Sequence, residues 1–353
     1  SAGGPVPNTG LAMAKLGVDV VINRKVGKDI FGDVIKQLVG KLRAAALKTV
    51  SDQNTSYTIV LAPPGIDRFV LHNPAANDTF GADDIDYHLA GKCSLFHFGY
   101  PPLMKRMFEN DGAEFVEIYK RVKDLGVTTS LDMALPDPTS PSGQADWQII
   151  LRRSLPFVDI FQPSLQEIAF MLNRDLFEKR KAQAKGEDPV LFYEPADCTA
   201  ISDKLLSMGV KIAALKCGIR GLYLRTAHAE SLGGMGSAAP ADSGLWANRE
   251  MWAESFKAEN FASTLGAGDA TIAGFLCGLL RGFSPEDTLQ IANTVGWQNV
   301  QAIDTLSGIK DWQTTLELLK DKNRPRNPAG VHSDQWRYCE NQHVYYGPND
   351  KPK

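Results

Sequence analysis

Short apolar, β-branched runs alternate along this chain with longer segments of helical spacing, and that alternation limits the fold more than any other feature. The runs cover residues 18–23, 94–98, 127–131, 158–161 and 211–216, with segments such as 102–124 and 167–180 between them. Strands that are apolar along their length are buried on both faces. This predicts an α/β fold, a doubly wound and mostly parallel sheet covered by helices on both sides. Ligands of such sheets collect beyond the carboxyl ends of the strands, where Asp132, Ser164, Gly218 and Gly266 would lie. Residues 56–72 depart from the pattern: two strand-like runs flank Pro63-Pro64-Gly65 and read as a β-hairpin. With 353 residues, 43% of them apolar, the chain can bury one large core or two modest ones.

One turn in this layout carries chemistry. Ser263-Thr264-Leu265-Gly266-Ala267-Gly268-Asp269 runs into a segment in which Ile272, Phe275, Leu276, Leu279 and Leu280 keep helical spacing up to Gly282. Small residues at a helix start leave backbone N–H groups uncovered, and those donors together with the macrodipole favour an anion. Asp269 in the first turn adds a proton acceptor beside it, the pairing that phosphoryl transfer requires. By itself the turn is also compatible with a plain strand-to-helix connection. A dinucleotide fingerprint is not completed, because Thr271 holds its last glycine position, and no Gly-Lys-Ser/Thr triplet marks a Walker loop.

Other chemistries find little footing. A net charge of −3 gives no basic field for nucleic acid or an anionic membrane. No apolar run has the length of a membrane span, and no signal segment opens the sequence. Cys93, Cys198, Cys217, Cys277 and Cys339 are scattered and read as free thiols, which makes the cytoplasm the expected compartment. The six histidines lack zinc-hydrolase spacing, and His97 reads as a strand residue with a satisfied hydrogen bond. No Gly-x-Ser-x-Gly elbow is present. Residues 179–188 read as a solvated helix end or loop, 230–244 as a mobile surface loop, and 321–353 as a polar, aromatic arm packed on the body or on another subunit.

Taken in order, five short motifs resemble the ribokinase-like (PfkB) carbohydrate kinases over about residues 3 to 320. They are Gly3-Gly4 with Asn8, Val26-Gly27-Lys28-Asp29-Ile30-Phe31-Gly32, Ser164-Leu165-Gln166-Glu167, Lys216-Cys217-Gly218-Ile219-Arg220-Gly221 and Gly266-Ala267-Gly268-Asp269. The resemblance implies ATP as co-substrate with magnesium and a sugar or sugar derivative as acceptor. Asp269 would be the base, and the amides of Gly266, Ala267 and Gly268 an anion hole. Gly4 and Asn8 would hold sugar hydroxyls; Asp132 is either a further substrate ligand or a turn cap after its strand. Lys216, Gly218, Gly221 and Asn293 would line the nucleotide site, and Glu167 the magnesium side.

The same resemblance makes residues 1–320 a kinase domain, with hairpin 54–74 inserted as a small β lid that also allows a homodimer, and 321–353 a tail. Three departures stand out. Ser263 replaces an Asp that helps relatives hold a monovalent cation, so potassium activation is not expected. Ser164 replaces the Asn of Asn-x-x-Glu, and Lys216 stands where many relatives have Thr. The sequence opens at the glycine pair, so the first core strand of relatives, part of their lid and a substrate-binding Asp are expected to be missing. A nucleoside or inositol kinase on the same scaffold, or a non-catalytic sugar-binding relative, are the alternatives.

Overall fold

The computed structural model describes residues 3–40, 42, 44–61, 69–321 and 323–351. Its strands are β1 (Val21–Gly27), β2 (Ala44–Val50), β3 (Tyr57–Leu61), β4 (Phe69–Asn73), β5 (Leu95–Phe98), β6 (Thr128–Leu131), β7 (Ile160–Phe161), β8 (Ile212–Lys216), β9 (Leu222–Thr226), β10 (Glu250–Ala253), β11 (Arg337–Cys339) and β12 (Val344–Tyr346). Eight of them form one sheet in the order β11-β12-β10-β9-β8-β7-β6-β5. Strands β5 to β8 are parallel, and β9 to β12 add an antiparallel wing. The parallel pair β1–β2 and the antiparallel hairpin β3–β4 are separate small sheets.

The longer helices are α1 (Pro5–Lys15), α2 (Ile30–Val39), α3 (Ala113–Asp124), α4 (Trp147–Ser154), α5 (Leu165–Leu172), α6 (Arg174–Ala184), α7 (Pro195–Ser207), α8 (Ala267–Leu280), α9 (Pro285–Asn299) and α10 (Trp312–Leu319). Alternation along β8 shows that they cover both faces. Ala213 and Leu215 join the core built with α3, α4, α5 and α7, whereas Ile212 and Ala214 join the core of α1, α8 and α9. The α/β sheet layered on both sides, expected from the sequence, is therefore present.

Several boundaries moved for identifiable reasons. The first strand begins at Val21 and runs on through Arg24 and Lys25, because Asp84 takes the Lys25 ammonium at 3.3 Å and the Lys48 ammonium at 2.5 Å. Residues 102–124 do not make one helix: Asn110 (φ 51°) and Asp111 (φ 52°) turn left-handed before α3 starts, a conformation these side chains tolerate. Residues 167–180 divide at Asn173, whose Oδ1 accepts from Leu176 N and caps α6. The tip of the hairpin, residues 62–68, lies outside the described residues.

One expectation about the added segments needs correction. Residues 230–244 are not a featureless loop. They hold short helices at Ala229–Gly233 and Ser243–Trp246, and Met235 is buried, its carbonyl accepting from Lys123 Nζ and Thr128 Oγ1. The C-terminal arm does pack on the body, and it does so as sheet: β12 pairs with β10, and Trp336 packs against Tyr223 and Trp252.

Candidate active site

The carboxyl ends of the parallel strands deliver Tyr100, Asp132, Ser164 and Lys216 to one end of the sheet, and the N-terminus of α8 meets them there. Gly266 caps that helix at φ 75°. A side chain at this position would also strike Thr305 at 2.8 Å, so glycine is required twice over. The Ala267 amide turns back onto Thr264 O at 3.2 Å. Among the described residues, no partner is recorded for the amides of Gly266 and Gly268. Ser263 Oγ accepts from Leu265 N at 3.0 Å and so serves the turn itself.

Asp269 is 3% exposed, and three donors converge on its carboxylate. Asn8 Nδ2 and Tyr100 OH reach Oδ2 at 3.0 Å and 2.9 Å, and Thr9 Oγ1 reaches Oδ1 at 3.3 Å. Burial raises the Asp269 carboxyl above the ordinary range, while Asn8, Lys216, Tyr100 and Thr9 pull it back. Tyr100 and Thr9 escaped the sequence reading. Both lie far along the chain from Asp269, so only the tertiary fold brings them to it; a Tyr directly after an apolar run was the one available hint. Tyr100 holds a left-handed backbone (φ 64°), an uncommon conformation for a bulky residue.

Next to this trio lies a buried ion pair. Lys216 Nζ sits 2.5 Å from Asp132 Oδ1. The same Oδ1 accepts from Met133 N at 2.8 Å, so Asp132 caps the turn after its strand while it pairs with Lys216. Burial raises the Asp132 carboxyl, and the adjacent Lys216 ammonium pulls it back toward the ionised form. Lys216 rises instead, because Asp132 and Glu167 together outweigh burial. Glu167 and Ser164 form a capping box at the start of α5: Glu167 Oε2 accepts from Ser164 N at 2.6 Å, and Ser164 Oγ from Glu167 N at 3.2 Å. Burial raises Glu167 as well.

A cleft of about 1290 Å³ opens on this cluster, lined by Gly3, Gly4, Asn8, Tyr100, Gly266 and Asp269 and extending between β1 and β5. Gly4 (φ 91°) has open space where a side chain would stand. Asn8 Oδ1, His97 Nε2 and Asp132 Oδ2 are buried without a partner. His97 is thus only half satisfied, with Nδ1 on Ser130 Oγ at 3.0 Å. Burial, aided by Lys216, drops its pKa to about 3 and keeps the ring neutral. A smaller pocket of about 360 Å³ at the other end of β8 includes Lys211 and Arg225, which already pair with Asp159 and Asp203.

The two glycines after β8 differ. A Cβ on Gly221 would lie 2.1 Å from Ala253 O, so that glycine admits the end of β10. Gly218 (φ 54°) is less crowded, with Val190 Cγ1 3.4 Å from such a Cβ. Asn293 Nδ2 donates to Ala253 O and Glu254 O at 3.1 Å each, which ties its amide to the end of β10. Among the described residues there is no cluster of three potential metal ligands.

A pfkB family carbohydrate kinase domain matches residues 1–312. The chain belongs to the pfkB family of carbohydrate kinases. An uncharacterized sugar kinase of Archaeoglobus fulgidus is 22% identical over 300 residues, covering 85% of this chain and 98% of that protein. The 2-dehydro-3-deoxygluconokinase of Bacillus subtilis is 22% identical over 336 residues, 93% of this chain and 89% of its own. Among solved structures, Arabidopsis thaliana ribokinase complexed with ribose and ATP superposes with a TM-score of 0.67 at 20% identity, over 90% of this chain and 87% of that one. Fructokinase with bound ATP from Xylella fastidiosa gives a TM-score of 0.68 at 18% identity, over 91% of each chain. The protein is a carbohydrate kinase with the ribokinase fold.

Proposed function

We propose that this pfkB-family kinase transfers the γ-phosphoryl group of ATP to a hydroxyl of a sugar or sugar derivative, with Asp269 as the base. The observation that carries this reading is the buried Asp269 carboxylate at the start of α8, held by Asn8, Thr9 and Tyr100 beside the bare amides of Gly266 and Gly268. The acceptor hydroxyl gives its proton to Asp269 as its oxygen bonds to the γ-phosphorus. The bond from that phosphorus to the β–γ bridging oxygen breaks, and ADP leaves. The glycine amides face the charge that gathers on the moving phosphoryl oxygens. Gly4, Asn8 and Asp132 form the acceptor side: Gly4 and Asn8 line the cleft, and Asn8 Oδ1 and Asp132 Oδ2 are buried acceptors without a partner.

The nucleotide side comprises Lys216 and Gly218. ATP bound by the ribokinase and fructokinase relatives supports it as co-substrate. Glu167, whose Oε2 is taken by the Ser164 amide, would offer its other carboxylate oxygen to a magnesium ion that keeps most of its water and is shared with the phosphates. That ion would neutralise phosphate charge. In this reading residues 1–320 carry the kinase and the β3–β4 hairpin is its lid. The free thiols suit a reducing compartment.

The deciding experiment is ADP release with magnesium and ATP across sugars, sugar acids, polyols and nucleosides. Wild-type turnover that depends on one acceptor class and falls at least about 10³-fold in a folded Asp269→Ala variant supports the proposal. A folded wild-type chain that binds sugar and never turns over would instead favour a non-catalytic binding protein. The exposed apolar residues Ile59 and Leu71 of the hairpin and Ile30, Phe31 and Val34 of α2 support pairing of two copies, with Phe31 and Tyr57 in ring contact across the two elements. Light scattering should then give a dimer mass for wild type and a monomer mass for Ile59→Glu.

A further inference from the structure

The position of one side chain adds a step to the kinase reading, on which the following rests. Lys216 ends β8 with its alkyl chain laid along the first turn of α8. A Cβ built on Gly268 would lie 3.5 Å from both Lys216 Cδ and Nζ. An ammonium at that place is opposed by the positive end of the helix. Three carboxylates hold it there: Lys216 is the cation that bears on Asp132, Glu167 and Asp269 alike. Its side chain is 13% exposed and that of Asp132 is fully buried, yet Asp132 uses only Oδ1 and leaves Oδ2 without a partner. The pair is therefore a single-point contact, and lysine can redirect such a contact by rotation about its flexible stem.

We propose that Lys216 is a catalytic residue that leaves Asp132 when nucleotide enters and donates hydrogen bonds to the γ-phosphoryl oxygens throughout transfer. Nζ lies beside the Gly268 position at the start of α8, so in this proposal the ammonium and the glycine amides act on the same phosphoryl group. No covalent bond to the lysine forms. Its charge offsets the negative charge on the phosphoryl oxygens. A lysine with only a structural role, holding Asp132 in the core, would not distinguish a triphosphate from a diphosphate.

That difference is measurable. Calorimetric titration with ATP and with ADP, both with magnesium, compares wild type, Lys216→Ala and Lys216→Arg. The expected result is that Lys216→Ala lowers the ATP-to-ADP affinity ratio about tenfold or more while ADP affinity changes less than about threefold. In the ADP-release assay its kcat should fall at least about 100-fold with acceptor KM within about threefold, and Lys216→Arg should recover part of the kcat. If Lys216→Ala leaves Asp132 stranded and does not fold, a Lys216→Met, Asp132→Asn double variant removes both buried charges and permits the same titration. An unchanged affinity ratio in either folded variant, or equal loss of ATP and ADP binding, overturns the proposal. Wild type that binds ATP but phosphorylates no acceptor would overturn the kinase reading while the ratio still decides the role of Lys216.

Discussion

Asp269 and Tyr100 show how a few hydrogen bonds set the working range of a base. Burial raises the Asp269 carboxyl, and the Tyr100 hydroxyl at 2.9 Å is one of the donors that favour its ionised form. Tyr100→Phe removes that donor without changing the shape of the wall, so the carboxyl should rise further. A base works only when deprotonated, so activity is lost as pH falls through its pKa. The acid limb of the kcat/KM profile should therefore move to higher pH in Tyr100→Phe, by about half a unit to one unit, with the plateau reduced less than about tenfold. A limb that stays in place would mean that Asp269 is not the titrating base. Asn8, Asp132, Glu167, Lys216 and Asp269 were legible in the sequence because each sits in or beside a short motif. Thr9 and Tyr100 were not, since a hydrogen bond spanning 169 or more residues leaves no local pattern.

Among the elements, β1 shows why polar residues within a strand defeat simple alternation. Lys25 would read as a break, yet its side chain is buried and held by Asp84 Oδ2 and by Thr79 O at 3.1 Å. Asp84 also binds Lys48 of β2 and accepts from Gly81 N at 3.0 Å, so one carboxylate pins the β1–β2 sheet to the loop before β5. Asp84→Ala strands a buried ammonium, and breaking a pair in that way typically costs about 3–5 kcal/mol. Lys25→Met should cost far less, about 1 kcal/mol, because it removes the buried charge and leaves Asp84 with Lys48. Urea unfolding of the two variants tests this order, and amide exchange in Asp84→Ala should quicken first in β1 and β2. Equal costs would show that the pair contributes nothing beyond packing. The α8 helix, by contrast, was legible almost residue for residue, since its apolar spacing and flanking glycines are all local.

For the whole molecule, the α/β architecture could be read from the alternation of strands and helices, but the antiparallel wing could not. Strands β11 and β12 are three residues each, too short for periodicity to register, and their sequence is polar enough to pass for an arm. What fixes them is tertiary. Val344 and Tyr346 are buried, Trp336 packs on Tyr223 and Trp252, and Asp350 Oδ1 accepts from Arg249 Nε at 2.8 Å. Asn349 N and Gly347 N donate to Glu250 Oε2 and O, so the chain end also satisfies polar groups of β10. Removing residues 333–353 would uncover three aromatic or aliphatic side chains' worth of core, each worth about 1.5–3 kcal/mol, and leave the Arg249–Glu286 pair without its second carboxylate. That loss is comparable to the entire stability of a typical domain. The truncated chain should therefore be recovered as aggregate, or with a thermal midpoint at least about 10 °C lower, even though every residue of the candidate active site remains. A truncated chain that keeps the wild-type midpoint would show that the wing is an appendage, and that β10 alone can close the sheet.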